Sequence, residues 1–268
     1  MKPRSILFDL FGDSLRYTGG EARLQALVEL LEVFGVGEST TRVLLARMRK
    51  EGWFATRRDG RQTVYALTEQ SWRLLDEGRT RIFDRARRPW DGEWRMVIYA
   101  VPEADRGERE RLRRTLGWLG FGPLAAATWV SPHPRLPEVA DALGGTSATQ
   151  LELLTCRTGG HAADRAMAAR CWDLEQLGRD YAELVASLEE LPPPTQLAEL
   201  PGPEALRRRV ELVAAYRTFP FRDPGLPAEL LPEGWPGRRA HTLFVAAHDA
   251  LAGPADGFVR SVLDRHRP

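Results

Sequence analysis

The sequence predicts an α+β multidomain protein, and three observations carry that expectation. Residues 1–78 read as helix, helix, turn, helix and a short β-hairpin. Residues 79–160 alternate β-prone runs with helical ones, and residues 161–268 are dominated by helical periodicity. At 268 residues, 43% of them apolar and 28% charged, the chain has apolar material for two or three real cores.

The first segment opens with "RSILFDLFGDSL", in which Ile6, Leu7, Leu10 and Phe11 recur at helical spacing before a "TGGE" turn. "EARLQALVELLEVFG" repeats the pattern as a second helix and stops at Gly35. In "GESTTRVLLARMRKEGW", Thr41, Leu44, Leu45 and Met48 form the inward stripe of a third helix, which Ser39 or Thr40 can cap. Ser39, Thr40, Arg42, Val43, Arg47 and Lys50 are left to face outward. Two β-prone runs around Asp59-Gly60 then predict a hairpin, with Arg57, Arg58 and Arg61 flanking its turn. Helix, helix, turn, helix and basic-tipped hairpin together make a winged helix-turn-helix, whose third helix enters the major groove of double-stranded DNA.

Charge distribution agrees with that reading. The whole chain carries a formal net charge of only +1, yet Ser39 to Arg61 holds seven basic residues against two acidic ones. Arg42 is long enough for a bidentate contact to guanine, Ser and Thr hydroxyls can donate to phosphates or base edges, and hairpin arginines suit phosphates of any sequence. DNA contacts are therefore expected at Ser39, Thr40, Arg42, Val43, Arg47, Lys50, Arg57, Arg58 and Arg61.

The middle segment follows an arginine-rich connector, "GRTRIFDRARRPWDG". "EWRMVIYAV" reads as a strand, "DRGERERLRRTLGWLGFG" as a helix, "LAAATWVSP" as a strand region, "RLPEVADALG" as a short helix and "TQLELLTCR" as a last strand. That order predicts a ferredoxin-like α+β unit. "FGPLAAATWV" fits one strand or a hairpin, and Pro123 argues for a break. In the helical C-terminal segment, "DRAMAARCWDLEQLGRDYAELVASLEEL" and "EALRRRVELVAAYRTF" are amphipathic. "PPPTQLAELPGP" reads as a linker or turn and "PFRDPGLPAELLPEGWPG" as an irregular loop. "RRAHTLFVAAHDALAG" and "ADGFVRSVLDRH" read as two final helices.

Several function classes find no support. No run approaches the roughly 18 consecutive apolar residues of a membrane span, and the N-terminus does not read as a secretory signal, so a cytoplasmic protein is expected. The chain has no glycine-rich phosphate loop, no G-x-S-x-G and no H-E-x-x-H. His241 and His248 lack a third ligand at metal spacing, and Cys156 reads as a buried strand residue. No enzyme, metal or cofactor is expected.

With these elements placed, the chain resembles the PaaX-like family of bacterial transcriptional regulators, the phenylacetic acid degradation repressor family. The resemblance spans nearly the whole chain, through "FDLFGDSLRYTGGE", "FGVGESTTRVLLARMRKEGWF", "WDGEWRMVIYAVPE", "LGWLGFGPLAAATWVSP" and, most specifically, "FRDPGLPAELLPEGWPG". It implies a winged-helix reader, a ferredoxin-like middle and a helical C-terminal domain, assembled as a homodimer on a palindromic operator. It also implies release from DNA by an aryl- or acyl-CoA effector such as phenylacetyl-CoA. A CoA thioester needs cations for its phosphates and an apolar pocket for its acyl end. Trp90, Trp94, Arg95, Trp129, Trp172, Arg217 and Arg222 have that chemistry. The middle segment also resembles the ferredoxin-like nucleases of CRISPR adaptation, which carry an acidic residue just after the tyrosine ending the first strand. Here Ala100 follows Tyr99 and the next carboxylate is Glu103, which argues against nuclease chemistry. A metal-dependent nuclease and a nucleic-acid-binding adaptor are the alternatives.

Overall fold

A computed structural model describes residues 1–84, 89–102, 105–143 and 150–267. Part of the arginine-rich connector, and Glu103, lie outside the described residues. The described residues form a mixed α+β structure with two small antiparallel sheets. It divides into two compact units, one of residues 1–84, 183–218 and 238–268, the other of 85–182 and 219–237.

In the first unit, α1 (Pro3–Asp13) is followed by a 3-10 turn at Leu15–Thr18, β1 (Glu21–Arg23), α2 (Leu24–Glu32), α3 (Glu38–Lys50), β2 (Phe54–Asp59), β3 (Gln62–Leu67) and α4 (Glu69–Phe83). The apolar stripes of α1, α2 and α3 meet in a core that includes Leu7, Leu10, Phe11, Leu27, Leu31, Leu45 and Met48. Phe11 packs on Phe54 of β2 with ring centroids 5.0 Å apart.

Three local expectations need correction. The second helix starts late, because Glu21–Arg23 instead pairs with β3, Ala22 opposite Tyr65, giving the sheet order β1-β3-β2. Gly20 sets this up: its φ is +71°, and any Cβ there would lie 2.7 Å from the Trp72 ring. The N-cap of α3 is Gly37, with no side-chain cap, so Ser39 and Thr40 sit inside the first turn rather than before it. The hairpin turn is also displaced by one residue. Asp59 pairs with Gln62, leaving Gly60 (φ +59°) and Arg61 as the two central positions. Glycine at the first of these fits a type II′ turn.

C-terminal helices also belong to this unit. α7 (His161–Cys171) and the first part of α8 (Leu174–Glu189), up to Ala182, lie in the other unit; the rest of α8, α9 (Pro194–Leu197), α10 (Gly202–Tyr216) and nearly all of α11 (Gly237–Arg265) lie in this one. The segment read as a linker thus holds one helical turn, and the two expected terminal helices are one, continuous through Pro254. Proline removes one intrahelical hydrogen bond and crowds the preceding turn. Tertiary packing outweighs this: Ala240, Phe244, Ala247, Leu251, Ala255, Val259 and Val262 form an unbroken buried stripe. Gly202 of α10 also approaches so closely that an added Cβ would meet Pro254 O at 3.1 Å and Phe258 Cβ at 2.5 Å.

In the second unit, β4 (Trp94–Ala100), α5 (Arg106–Trp118), β5 (Gly122–Ala125), β6 (Thr128–Ser131), α6 (Leu136–Leu143) and β7 (Gln150–Cys156) follow in order. The sheet order is β5-β6-β4-β7, all neighbours antiparallel. "FGPLAAATWV" is therefore a hairpin. Pro123 lies in its edge strand, where a missing ladder donor is tolerated, beside a register shift between Pro123 and Ala125. One sheet face packs on α5 and α6 through Val97, Tyr99, Leu112, Leu116 and Trp129. The other packs on α7 through Trp94, Val130, Met167 and Cys171, joined by Leu226, Leu230 and Leu231 of the proline-rich loop. Cys156 ends β7 half-buried rather than buried, its thiol pushed up by what burial it has. An extended residue, Trp172, separates α7 from α8. No helix among the described residues is long and apolar enough to cross a membrane.

Candidate nucleic-acid interface

α3 turns one face into the core of its unit and the other to solvent. Thr41, Leu45 and Met48 are buried, whereas Ser39, Thr40, Arg42, Val43, Arg47 and Lys50 are all exposed. α3 packs on β2, and the hairpin brings Arg57, Arg58 and Arg61, also exposed, into the same unit. All nine residues selected from the sequence are thus solvent-facing on two neighbouring elements.

Several of these cations already hold carboxylates. Arg42 donates from Nε (2.9 Å) and Nη2 (2.6 Å) to Glu38 Oε1, one turn back. Arg47 Nε lies 2.8 Å from Glu51, which Arg4 also contacts at 2.6 Å. The hydrogen bond from Arg47 holds the Glu51 carboxyl below its ordinary value. On the hairpin, Arg57 pairs with Glu21 of β1, which raises its own pKa further, and Arg23 pairs with Asp59. Exposed pairs of this kind contribute little to stability. They do orient guanidinium groups, and an anion must displace their carboxylates to bind. Glu38 could have been found from the sequence, since residues four apart face each other on a helix. Glu21 could not, because its partner lies across a sheet.

The seven residues selected for CoA chemistry are not gathered in one place. Trp90, Trp94 and Trp172 form an aromatic cluster in the second unit, Trp94 to Trp90 at 5.7 Å and to Trp172 at 6.4 Å. Trp94 is fully buried, and its indole donates to Asp164 at 2.8 Å. Trp129 belongs to the core on the opposite sheet face, its Nε1 without a hydrogen-bond partner. Arg95 is held by Asp91, whose carboxyl the hydrogen bond from Arg95 lowers to about 2. Arg222 pairs with Asp180 in the same unit. Arg217 lies in the first unit, 3.7 Å from Asp9 and bonded to the Ser5 hydroxyl. A cavity of about 340 Å³ in the first unit is lined by none of them; it lies among Leu184, Leu188, Leu197, Leu212 and Leu251, with Arg207 and Arg208 in its lining. Among the described residues no group of three or more His, Cys, Asp or Glu is placed to hold a metal ion.

Comparison with known proteins places this architecture. Residues 2–71 match the PaaX-like protein family, residues 87–168 the PaaX protein central Cas2-like domain, and residues 172–261 the PaaX-like protein C-terminal domain. The chain belongs to the PaaX family. It is 32% identical over 265 residues to the transcriptional repressor PaaX of Escherichia coli, covering 95% of this chain and 82% of that one. Among solved structures it is similar to the uncharacterized protein Rv0674 from Mycobacterium tuberculosis. The TM-score is 0.61 at 25% identity, over 87% of this chain and 89% of the other.

Proposed function

We propose that this chain is a DNA-binding transcriptional repressor, reading its operator through a winged helix-turn-helix in which α3 is the recognition helix and the β2–β3 hairpin the wing. The observation that carries this reading is the outward face of α3, where Ser39, Thr40, Arg42, Val43, Arg47 and Lys50 are all exposed beside a hairpin tipped by Arg57, Arg58 and Arg61. Homology to a named repressor supports it. In this reading residues 1–78 bind DNA, the ferredoxin-like residues 79–160 and helical residues 161–268 serve regulation and assembly, and the protein works in the cytoplasm as a non-enzyme. It binds a palindromic operator as a homodimer, with half-sites about 34 Å or a multiple apart. An aryl- or acyl-CoA thioester such as phenylacetyl-CoA releases it.

The test is a gel-shift against the intergenic DNA flanking its own gene, with and without phenylacetyl-CoA. Specific binding abolished by the thioester is the expected result. Specific binding that the thioester leaves intact would keep the reader and remove that effector. Loss of all specificity would favour a general nucleic-acid adaptor. The Cas2-like match of the middle segment favours one rival, a metal-dependent nuclease. Ala100 supplies no ligand after Tyr99, so no Mg²⁺-dependent cleavage of the shifted DNA is expected.

A further inference from the structure

Val43 is 70% exposed, more than any other large apolar side chain among the described residues. Lone exposed apolar residues are common on protein surfaces, so exposure alone decides nothing. The position of Val43 is more informative. At about 3.6 residues per turn, Ser39, Val43, Ala46 and Lys50 fall on one line along the outer face of α3, opposite the buried Thr41, Leu45 and Met48. Arg42 and Arg47 flank that line. A β-branched residue lowers helix propensity relative to alanine, and no packing within the unit offsets the loss here.

A duplex approached by this face offers phosphates and outlying base edges to the flanking cations, and the base edges of the groove floor to the centre. At that centre the chain places a short hydroxyl and two apolar groups, Val43 and Ala46, one turn apart. The apolar group that the major-groove edge of unmodified DNA presents is the thymine C5 methyl. We propose that Val43, with Ala46 beside it, is a specificity-determining contact for thymine methyl groups in the operator's major groove. The inference rests on the DNA-reading function proposed above and names the chemistry that its recognition helix selects.

The experiment removes the methyl from the DNA as well as the valine from the protein. A bound site is recovered from a random-sequence duplex library with the full chain, and each thymine in it is replaced in turn by deoxyuridine, which leaves every hydrogen-bonding edge intact. One or two positions per half-site should lose about 4-fold in affinity, the worth of one methyl-sized group removed from water. Val43→Ala and Val43→Ser should bind the parent site more weakly and show no further loss at those positions. The dependence of log K on log salt should be unchanged in both variants, because no phosphate contact is altered. The proposal is overturned if deoxyuridine is neutral at every position, or if Val43→Ala keeps the same penalty at the same base. Failure to recover any preferred site would instead overturn the DNA-reading function itself, so the two failures are distinct.

Discussion

Asp13, the last residue of α1, and Arg209, in α10, form a buried ion pair, with Arg209 Nε 2.8 Å from Asp13 Oδ2 and side chains only 4% and 9% exposed for Arg209 and Asp13. His248 Nε2 of α11 lies 2.9 Å from the same carboxylate, and Arg209 Nη1 reaches Asp256 at 2.8 Å. Three helices distant in sequence are thus fixed by one carboxylate.

Removing one member of a buried pair leaves the other charged and uncompensated. Asp13→Ala is expected to lower the stability of the first unit by about 3–5 kcal/mol, read from urea unfolding. Burial alone would raise the Asp13 pKa, but the hydrogen bond with His248 and the charges of His248, Arg209 and Arg79 outweigh it and hold it below the ordinary 3.8. The stability it contributes is therefore full above about pH 4 and is lost as acid protonates the folded state. Asp13→Ala should remove that acid-side loss.

Asp9, one turn earlier on α1, behaves oppositely. Burial, only partly offset by Arg217 and reinforced by Asp13, pushes its carboxyl up to about 7. Its Oδ2 has no hydrogen-bond partner. Folding then favours the protonated acid, and stability is lost as pH rises from about 4 through about 7. Asp9→Asn should stabilise the protein at pH 8 by roughly 2–4 kcal/mol and leave pH 4 almost unchanged. Unfolding curves at the two pH values distinguish this from a uniform effect.

Arg42 and Glu38 should be separable in DNA binding. Arg42→Ala is expected to weaken operator binding by ~1–3 kcal/mol and relax preference at one base pair. Glu38→Gln frees Arg42 and removes a negative charge from the interface, so it should tighten binding to scrambled DNA more than to the operator. Arg58→Ala should weaken both alike and reduce the salt slope by about one. Filter binding across a salt series reads all three.

Trp94 supports the second unit through one buried hydrogen bond as well as its bulk. Trp94→Phe leaves Asp164 Oδ1 with only the Thr158 hydroxyl. The loss of that bond is expected to cost about 1–3 kcal/mol in addition to lost packing. Thermal unfolding monitored by the remaining tryptophans checks it, and Asp164→Asn, which keeps the acceptor oxygen, should be milder.

Local chemistry was readable from the sequence; long-range pairing was not. Of the four inward residues expected on α3, Thr41, Leu45 and Met48 are buried and Leu44 half-buried, and the β2–β3 hairpin follows from Asp59-Gly60 with its turn one residue later, because in each case the deciding neighbours lie within a turn or a hairpin. α11 defeats that logic. Pro254 between Gly253 and Gly257 reads as a break, while the stripe Leu251, Ala255, Val259, Val262 runs through it without losing step, and packing on Gly202 holds it. The outward cations were identifiable by type, but their carboxylate partners Glu21 and Asp59 depend on strand register. The tryptophans looked like ligand chemistry because composition cannot tell a core indole, such as Trp94, from an accessible one.

The first unit is assembled from three stretches of chain, the last of which ends in α11. A ribosome that has completed Asp84 has made α3 and the hairpin but neither Arg209, Arg217 nor His248. Until those emerge, Asp9 lacks Arg217, Asp13 has only the distant Arg79, and the apolar stripe of α1 has no α10 to cover it. The N-terminal segment therefore completes its core only after α10 and α11 have been synthesised. Premature termination yields an unfinished fold rather than a small, independent binder competing with the full-length protein.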